Sequence, residues 1–235
     1  MAYPQDLVGK FVTYRINEVN SDRVGGAMRT YGVTRDVAER AMIPVYRSQA
    51  GAPSPAGPLG PGAGFVDPRQ PWTFQFLGYL PGHVTDCPLT DPVMTGPMSG
   101  CYLFRFTQGG QTRIGHVGTN LTPTDPKSLE AKANWGKFLM EGGASNVMGA
   151  NPIATITTND VVRGTLAASG MGLEIGGAAS VCGYFAGATA YAMLFVPIKQ
   201  VHAGAGGMSR LLYVADCKPM PLRPWSAIQN DPAFR

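Results

Sequence analysis

The chain is poor in the residues on which most catalytic and metal chemistry draws: three histidines, four cysteines and 14% charged side chains in 235 residues. No run of Lys and Arg exceeds two residues, so the net charge of +4 leaves no electrostatic footprint for nucleic acid. No window of about 18 residues is continuously apolar without Gly, Pro or charge, and no membrane span is expected. Met1 to Lys10 lacks a basic start followed by an apolar stretch, so no Sec-type signal is expected. The protein reads as soluble, and export by a machine that ignores such signals stays open. Cys87, Cys101, Cys182 and Cys217 lie far apart with no CxxC pair, which argues against zinc and against a disulfide framework. No phosphate loop is expected either, because GGAAS at Gly176 to Ser180 is too degenerate to count as one.

What is abundant points to strands. Gly (31) and Pro (20) exceed a fifth of the residues, too many for a helical bundle, while 44% hydrophobic composition suffices for one buried core. Lys10 to Ile16, Trp72 to Leu80, Cys101 to Thr107, Thr112 to Val117, Ile153 to Thr158, Gly183 to Val196 and Arg210 to Ala215 read as strands. Gly183 to Val196 is apolar on both faces and is expected to be central. Thr34 to Ala41 reads as a short capped helix. Thr124 to Glu141 reads as the best helix, with Thr124 or Asp125 as cap, Pro126 at its start and Leu129, Ala133 and Gly136 at helical spacing. Gly51 to Gly64 is nearly pure Gly, Pro, Ala and Ser and reads as a mobile loop. The expected fold is α+β and strand-rich: a single domain over residues 1–235, either a β-sandwich or a strongly bent mixed sheet with peripheral helices.

The scarce histidines can be weighed singly. His83 lies in a loop and His202 in a Gly/Ala stretch, both reading as solvated surface, whereas His116 ends a strand in RIGHVGT. Cys101 follows Gly100 where a turn enters the first strand of a hairpin closed over Gln108 to Gln111. In that hairpin Cys101 and His116 are expected to face each other directly, about 5 Å apart at Cβ. An imidazole so placed can take the thiol proton and return it to a leaving nitrogen, with backbone N–H groups near Gly100 and Cys101 serving an oxyanion. The competing reading is that Cys101 is a small buried hydrophobe in a non-catalytic β-sandwich binding protein. Cys87, Cys182 and Cys217 read as packing thiols, and Trp72, Phe74 and Phe76 as core.

MSGC at Met98 to Cys101, followed by GHVGT at Gly115 to Thr119, resembles the catalytic core of the cytotoxic necrotizing factor deamidase domains, with the same fifteen-residue spacing of Cys101 and His116. A similar core occurs in Burkholderia lethal factor and, more distantly, in chemoreceptor glutamine deamidases. The resemblance spans about Val93 to Thr119, with Met98 in place of the usual Leu. It implies a Cys-His hydrolase that converts one glutamine of a partner protein to glutamate without cofactor or metal. A bacterial toxin or effector acting in host cytosol on a GTPase or translation factor would fit, and transglutamination or proteolysis are the alternative thiol chemistries. Proteolysis of the papain type is disfavoured because Cys101 opens a strand, not a helix. The resemblance also implies that a backbone carbonyl orients His116. By analogy with the lethal factor this is Thr95, the preferred reading; by analogy with the necrotizing factor it lies around Val66.

Overall fold

A computed structural model describes residues 4–14, 33–35, 38–43, 45–46, 72–79, 82–119, 122, 124–170, 174–199 and 210–234. The Gly51 to Gly64 segment, His202 and Val66 lie outside the described residues. In chain order the strands are β1 (Phe11–Tyr14), β2 (Val33–Arg35), β3 (Ala38–Ile43), β4 (Val45–Tyr46), β5 (Trp72–Leu77), β6 (Val84–Pro88), β7 (Val93–Met98), β8 (Tyr102–Gln108) and β9 (Gln111–Val117). Helix α1 (Pro126–Glu141), β10 (Ser145–Ala150), helix α2 (Thr158–Gly170), β11 (Ser180–Ala186), β12 (Thr189–Ile198), β13 (Arg210–Pro219), β14 (Arg223–Pro224) and the one-turn α3 (Trp225–Ile228) follow.

The strands form two sheets in a strand-rich α+β fold, one of them strongly curled. One runs β3-β5-β7-β11-β12-β13-β1-β4 and the other β14-β10-β8-β9-β6-β2. Their facing sides share a core: Leu77, Val93 and Phe185 of the larger sheet pack with Cys87, Leu103 and Ile114 of the smaller. The other side of the larger sheet gathers Phe74, Tyr184, Met193, Phe195 and Val214, so β12 is buried on both faces and sits inside the sheet. The other side of the smaller sheet carries Phe104 and Phe106 against Trp135 and Phe138 of α1. Asp125 caps α1 by accepting from the Lys127 N–H at 3.0 Å, and Pro126 occupies the first turn. The buried face of α1 is Ser128, Ala131, Lys132, Trp135 and Phe138, which corrects the expected stripe: Leu129 and Ala133 are exposed and Gly136 is half-buried.

Several local expectations are corrected. The described residues of the expected helix Thr34 to Ala41 are strand. Thr34 belongs to β2, parallel to β6, and β3 pairs antiparallel with β5 along all six of its residues. The Ala, Glu and Arg of AERA are good helix formers, but ladder pairing outweighs a preference of a few tenths of a kcal/mol per residue. Ile153 to Thr158 is not a strand: Asn151 accepts from the Ile153 N–H at 3.0 Å and starts a single 3-10 turn at Pro152–Ala154, after which α2 begins. Gly183 to Val196 is not one strand but parts of β11 and β12, separated by a turn in which Gly187 has φ 57°.

One feature of the topology creates the site. The chain leaves the smaller sheet after β6, contributes β7 to the larger sheet between β5 and β11, and returns as β8. The return runs through Ser99 and Gly100, the latter with φ 125°, and Cys101 is the first residue beyond it. The thiol therefore lies at the seam between the sheets.

Candidate functional site

The β8–β9 hairpin turns on Gly109 and Gly110, whose φ of 56° and 77° suit a two-residue turn of primed type. That turn fixes Gln108 opposite Gln111 and hence Leu103, not Cys101, opposite His116. Direct opposition of Cys101 and His116 is thus corrected: the true partner is two residues along. Because side-chain direction alternates, Cys101 remains on the face of Leu103 and His116, in the diagonal relation, for which backbone separations are about 7–8 Å. That face points at the larger sheet.

His116 is fully buried, with its Nδ1 2.6 Å from the hydroxyl oxygen of Thr95 on β7. Its Nε2 is buried with no hydrogen-bond partner among the described residues. Thr95 and His116 are thus brought together, but the bond described between them uses the Thr95 side chain, where the sequence suggested its carbonyl. On the strand flanking His116 on its other side, Thr85 stands directly opposite it. The Thr85 hydroxyl donates to the carbonyl of Gly78 at 2.7 Å, which fastens the end of β5 to the smaller sheet. The next residue, Tyr79, stacks on the imidazole with ring centroids 5.4 Å apart and planes 19° from parallel.

Cys101 is also fully buried, among Met98, Leu103, Val93 and Leu77. Its thiol donates to the carbonyl of Thr119 at 3.0 Å, and the Thr119 hydroxyl donates to the Gly100 carbonyl at 2.7 Å, tying the end of β9 to the turn before the thiol. Removal from water pushes the Cys101 thiol up to about 11, although hydrogen bonds at Ser99, Thr119 and Cys101 itself favour the thiolate. Removal from water likewise holds His116 down to about 3. The resting pair is a neutral thiol and a neutral imidazole, with the thiol donating its hydrogen bond to the Thr119 carbonyl.

Cys87, Cys182 and Cys217 are buried and form no disulfide, and Cys182 and Cys217 are pushed up to about 12 by burial. His83 is half-buried, not on the open surface, and its carbonyl accepts from the Gly118 N–H at 2.8 Å. Phe74 and Phe76 are core. Tyr79, Thr85 and Thr119 were not singled out from sequence. Thr119 closes the GHVGT segment and was within reach of it, whereas Tyr79 and Thr85 meet His116 only through the pairing of β6, which no sequence pattern announced.

Among the described residues no group of three or more His, Cys, Asp or Glu side chains could hold a metal ion, and no helix is long and apolar enough to cross a membrane. No protein-family model, curated protein or solved structure matches the chain.

Proposed function

We propose that the chain is a cysteine-dependent protein glutamine deamidase in which Cys101 is the nucleophile, His116 the general base and acid, and Thr95 the residue that orients the imidazole. The observation that carries this reading is the pairing of a Thr95-held imidazole, its Nε2 unpartnered in a buried setting, with a thiol on the same face of the hairpin. A polar atom buried without a partner costs about 1–3 kcal/mol, and sites of reaction are where such a cost persists. The MSGC and GHVGT resemblance adds the reaction class.

In this reading the Cys101 proton passes to His116 Nε2 as sulfur bonds to the carboxamide carbon. The tetrahedral adduct then breaks its C–N bond, His116 returns the proton to the departing nitrogen, and ammonia leaves a thioester. Water attacks that thioester with His116 again as base, which releases glutamate and restores the thiol. Backbone N–H groups around Ser99 and Cys101 are the candidate oxyanion donors. No step uses a cofactor, and the partner is a protein presenting the glutamine.

A second reading is favoured by one specific observation: Cys101 packs in an apolar cluster with a raised pKa, as a structural thiol does. Mass spectrometry of host-cell lysate incubated with the protein separates the two. Conversion of a defined glutamine to glutamate is expected with wild type and lost by about 100-fold or more in Cys101→Ser and in His116→Gln, with the double variant little worse than either single one. Wild-type activity in Cys101→Ser, or no conversion by wild type in any lysate, overturns the assignment.

A further inference from the structure

Cys101 and His116 are both completely buried, so no protein side chain can reach either until something above them moves. Thr85, Thr95, Leu103 and Thr119, which surround the pair, are buried as well, at 2% exposure or less. Tyr79 is different: it is 39% exposed on its outer side while its ring lies flat on the imidazole. The two residues before it are anchored, Leu77 by its pairing with Thr95 in the larger sheet and Gly78 by the Thr85 bond to its carbonyl. The Tyr79 side chain has solvent on one face. Movement there therefore needs only rotation about side-chain bonds, which exposed residues make in picoseconds to nanoseconds, and leaves the two sheets docked.

We propose that Tyr79 is the gate and positioning residue of the Cys101–His116 chamber: its ring, stacked on His116, covers the pair, and its outward rotation is what admits a substrate side chain. The inference takes Cys101 as the reacting group of the function proposed above, but its test does not depend on turnover. The stacked ring holds the imidazole plane against Thr95 in the closed state. The open state brings water and an incoming carboxamide to the thiol, relieving the burial that keeps the sulfur protonated. The raised pKa of Tyr79, to which Cys101 contributes after burial, agrees with a phenol lying close to the sulfur.

Alkylation with iodoacetamide, read by mass spectrometry at each of the four thiols in the intact protein, tests the gate. If the open state is populated at about 1–10% in wild type, Tyr79→Ala should label Cys101 about 10–100-fold faster. Cys87, Cys182 and Cys217 should label at wild-type rates in the same sample. Tyr79→Phe keeps the ring and should label Cys101 at the wild-type rate. The ring-current shift of the His116 Cε1 proton should likewise persist in Tyr79→Phe and vanish in Tyr79→Ala. Tyr79→Leu serves as the open variant should Tyr79→Ala lose its thermal transition. Unchanged Cys101 labelling in the open variant, equal acceleration at all four thiols, or acceleration in Tyr79→Phe each overturns the gate. A protein that shows gated labelling yet deamidates nothing would refute the reaction and leave the gate standing.

Discussion

The Thr95 hydroxyl on one sheet lies 2.6 Å from Nδ1 of His116 on the other, and this one contact spans the seam in which Cys101 sits. It sets the rotation of the imidazole about its own strand and leaves Nε2 as the ring nitrogen without a partner among the described residues.

Thr95→Val keeps the shape of the side chain and deletes the hydroxyl. It should cost about 1–3 kcal/mol by leaving Nδ1 unpaired in a buried setting. Turnover on an identified target should fall about 10–100-fold as the imidazole loses its fixed orientation. Thr95→Ser retains the hydroxyl and should recover most of both. Urea unfolding and single-turnover assays read the two effects, and wild-type behaviour in Thr95→Val would remove the orienting role.

Acid should find His116 before it finds the carboxylates. Burial holds its folded pKa down to about 3 against an ordinary 6.5, so between those values the unfolded chain binds a proton that the folded one refuses. Stability is therefore lost as pH falls through 6.5, at about 1.4 kcal/mol per pH unit, and is fully retained above it. Between about pH 6.5 and about pH 4.5 wild type should lose roughly 2–3 kcal/mol more than His116→Gln in urea titrations. Parallel losses in the two proteins would mean that the imidazole is not buried in solution.

Asp160 offers a contrast away from the site. Its buried carboxylate bonds to Lys218, to the N–H and hydroxyl of Thr157, and to Arg163, joining the start of α2 to β13. Lys218 foremost, then Thr157, holds its pKa well below the ordinary carboxylate range. Asp160→Ala should cost about 1.5–3 kcal/mol, the range for hydrogen bonds to charged groups. It should lower the urea midpoint and leave the iodoacetamide labelling of Cys101 in the folded protein unchanged. Faster labelling there would mean that α2 and the seam are coupled.

The hairpin and α1 were legible because their signals are local: a Gly-Gly pair between alternating strands, and an Asp-Pro start. The two-residue slip in register was not forced by the sequence: a hairpin closed over Gln108 to Gln111, counted outward, already sets Leu103 and not Cys101 against His116, and the positive φ of Gly109 and Gly110 agrees with that closure. Helix α2 was invisible for a different reason. It turns Gly164 and Ala168 inward while Val162 and Leu166 are 50% and 65% exposed, an inversion of the usual pattern. Gly164 has to be small, since a Cβ there would meet that of Ala215 at 2.5 Å. That Cys101 and His116 share one face of the hairpin was readable from their spacing, but the tyrosine stacked on His116 was not, because its contact joins two sheets through strands distant in sequence.

The excursion of β7 into the other sheet also orders events during folding. The β8–β9 hairpin is local and can close in microseconds, but the pairing of β7 between β5 and β11 joins segments far apart in the chain and waits on loop closure. Until that pairing forms, Thr95 has not met His116, and Cys101 is an ordinary thiol no different from the other three. In an unfolded chain the four thiols are therefore alike, and only the docking of the sheets encloses Cys101 on the same face as a Thr95-held imidazole.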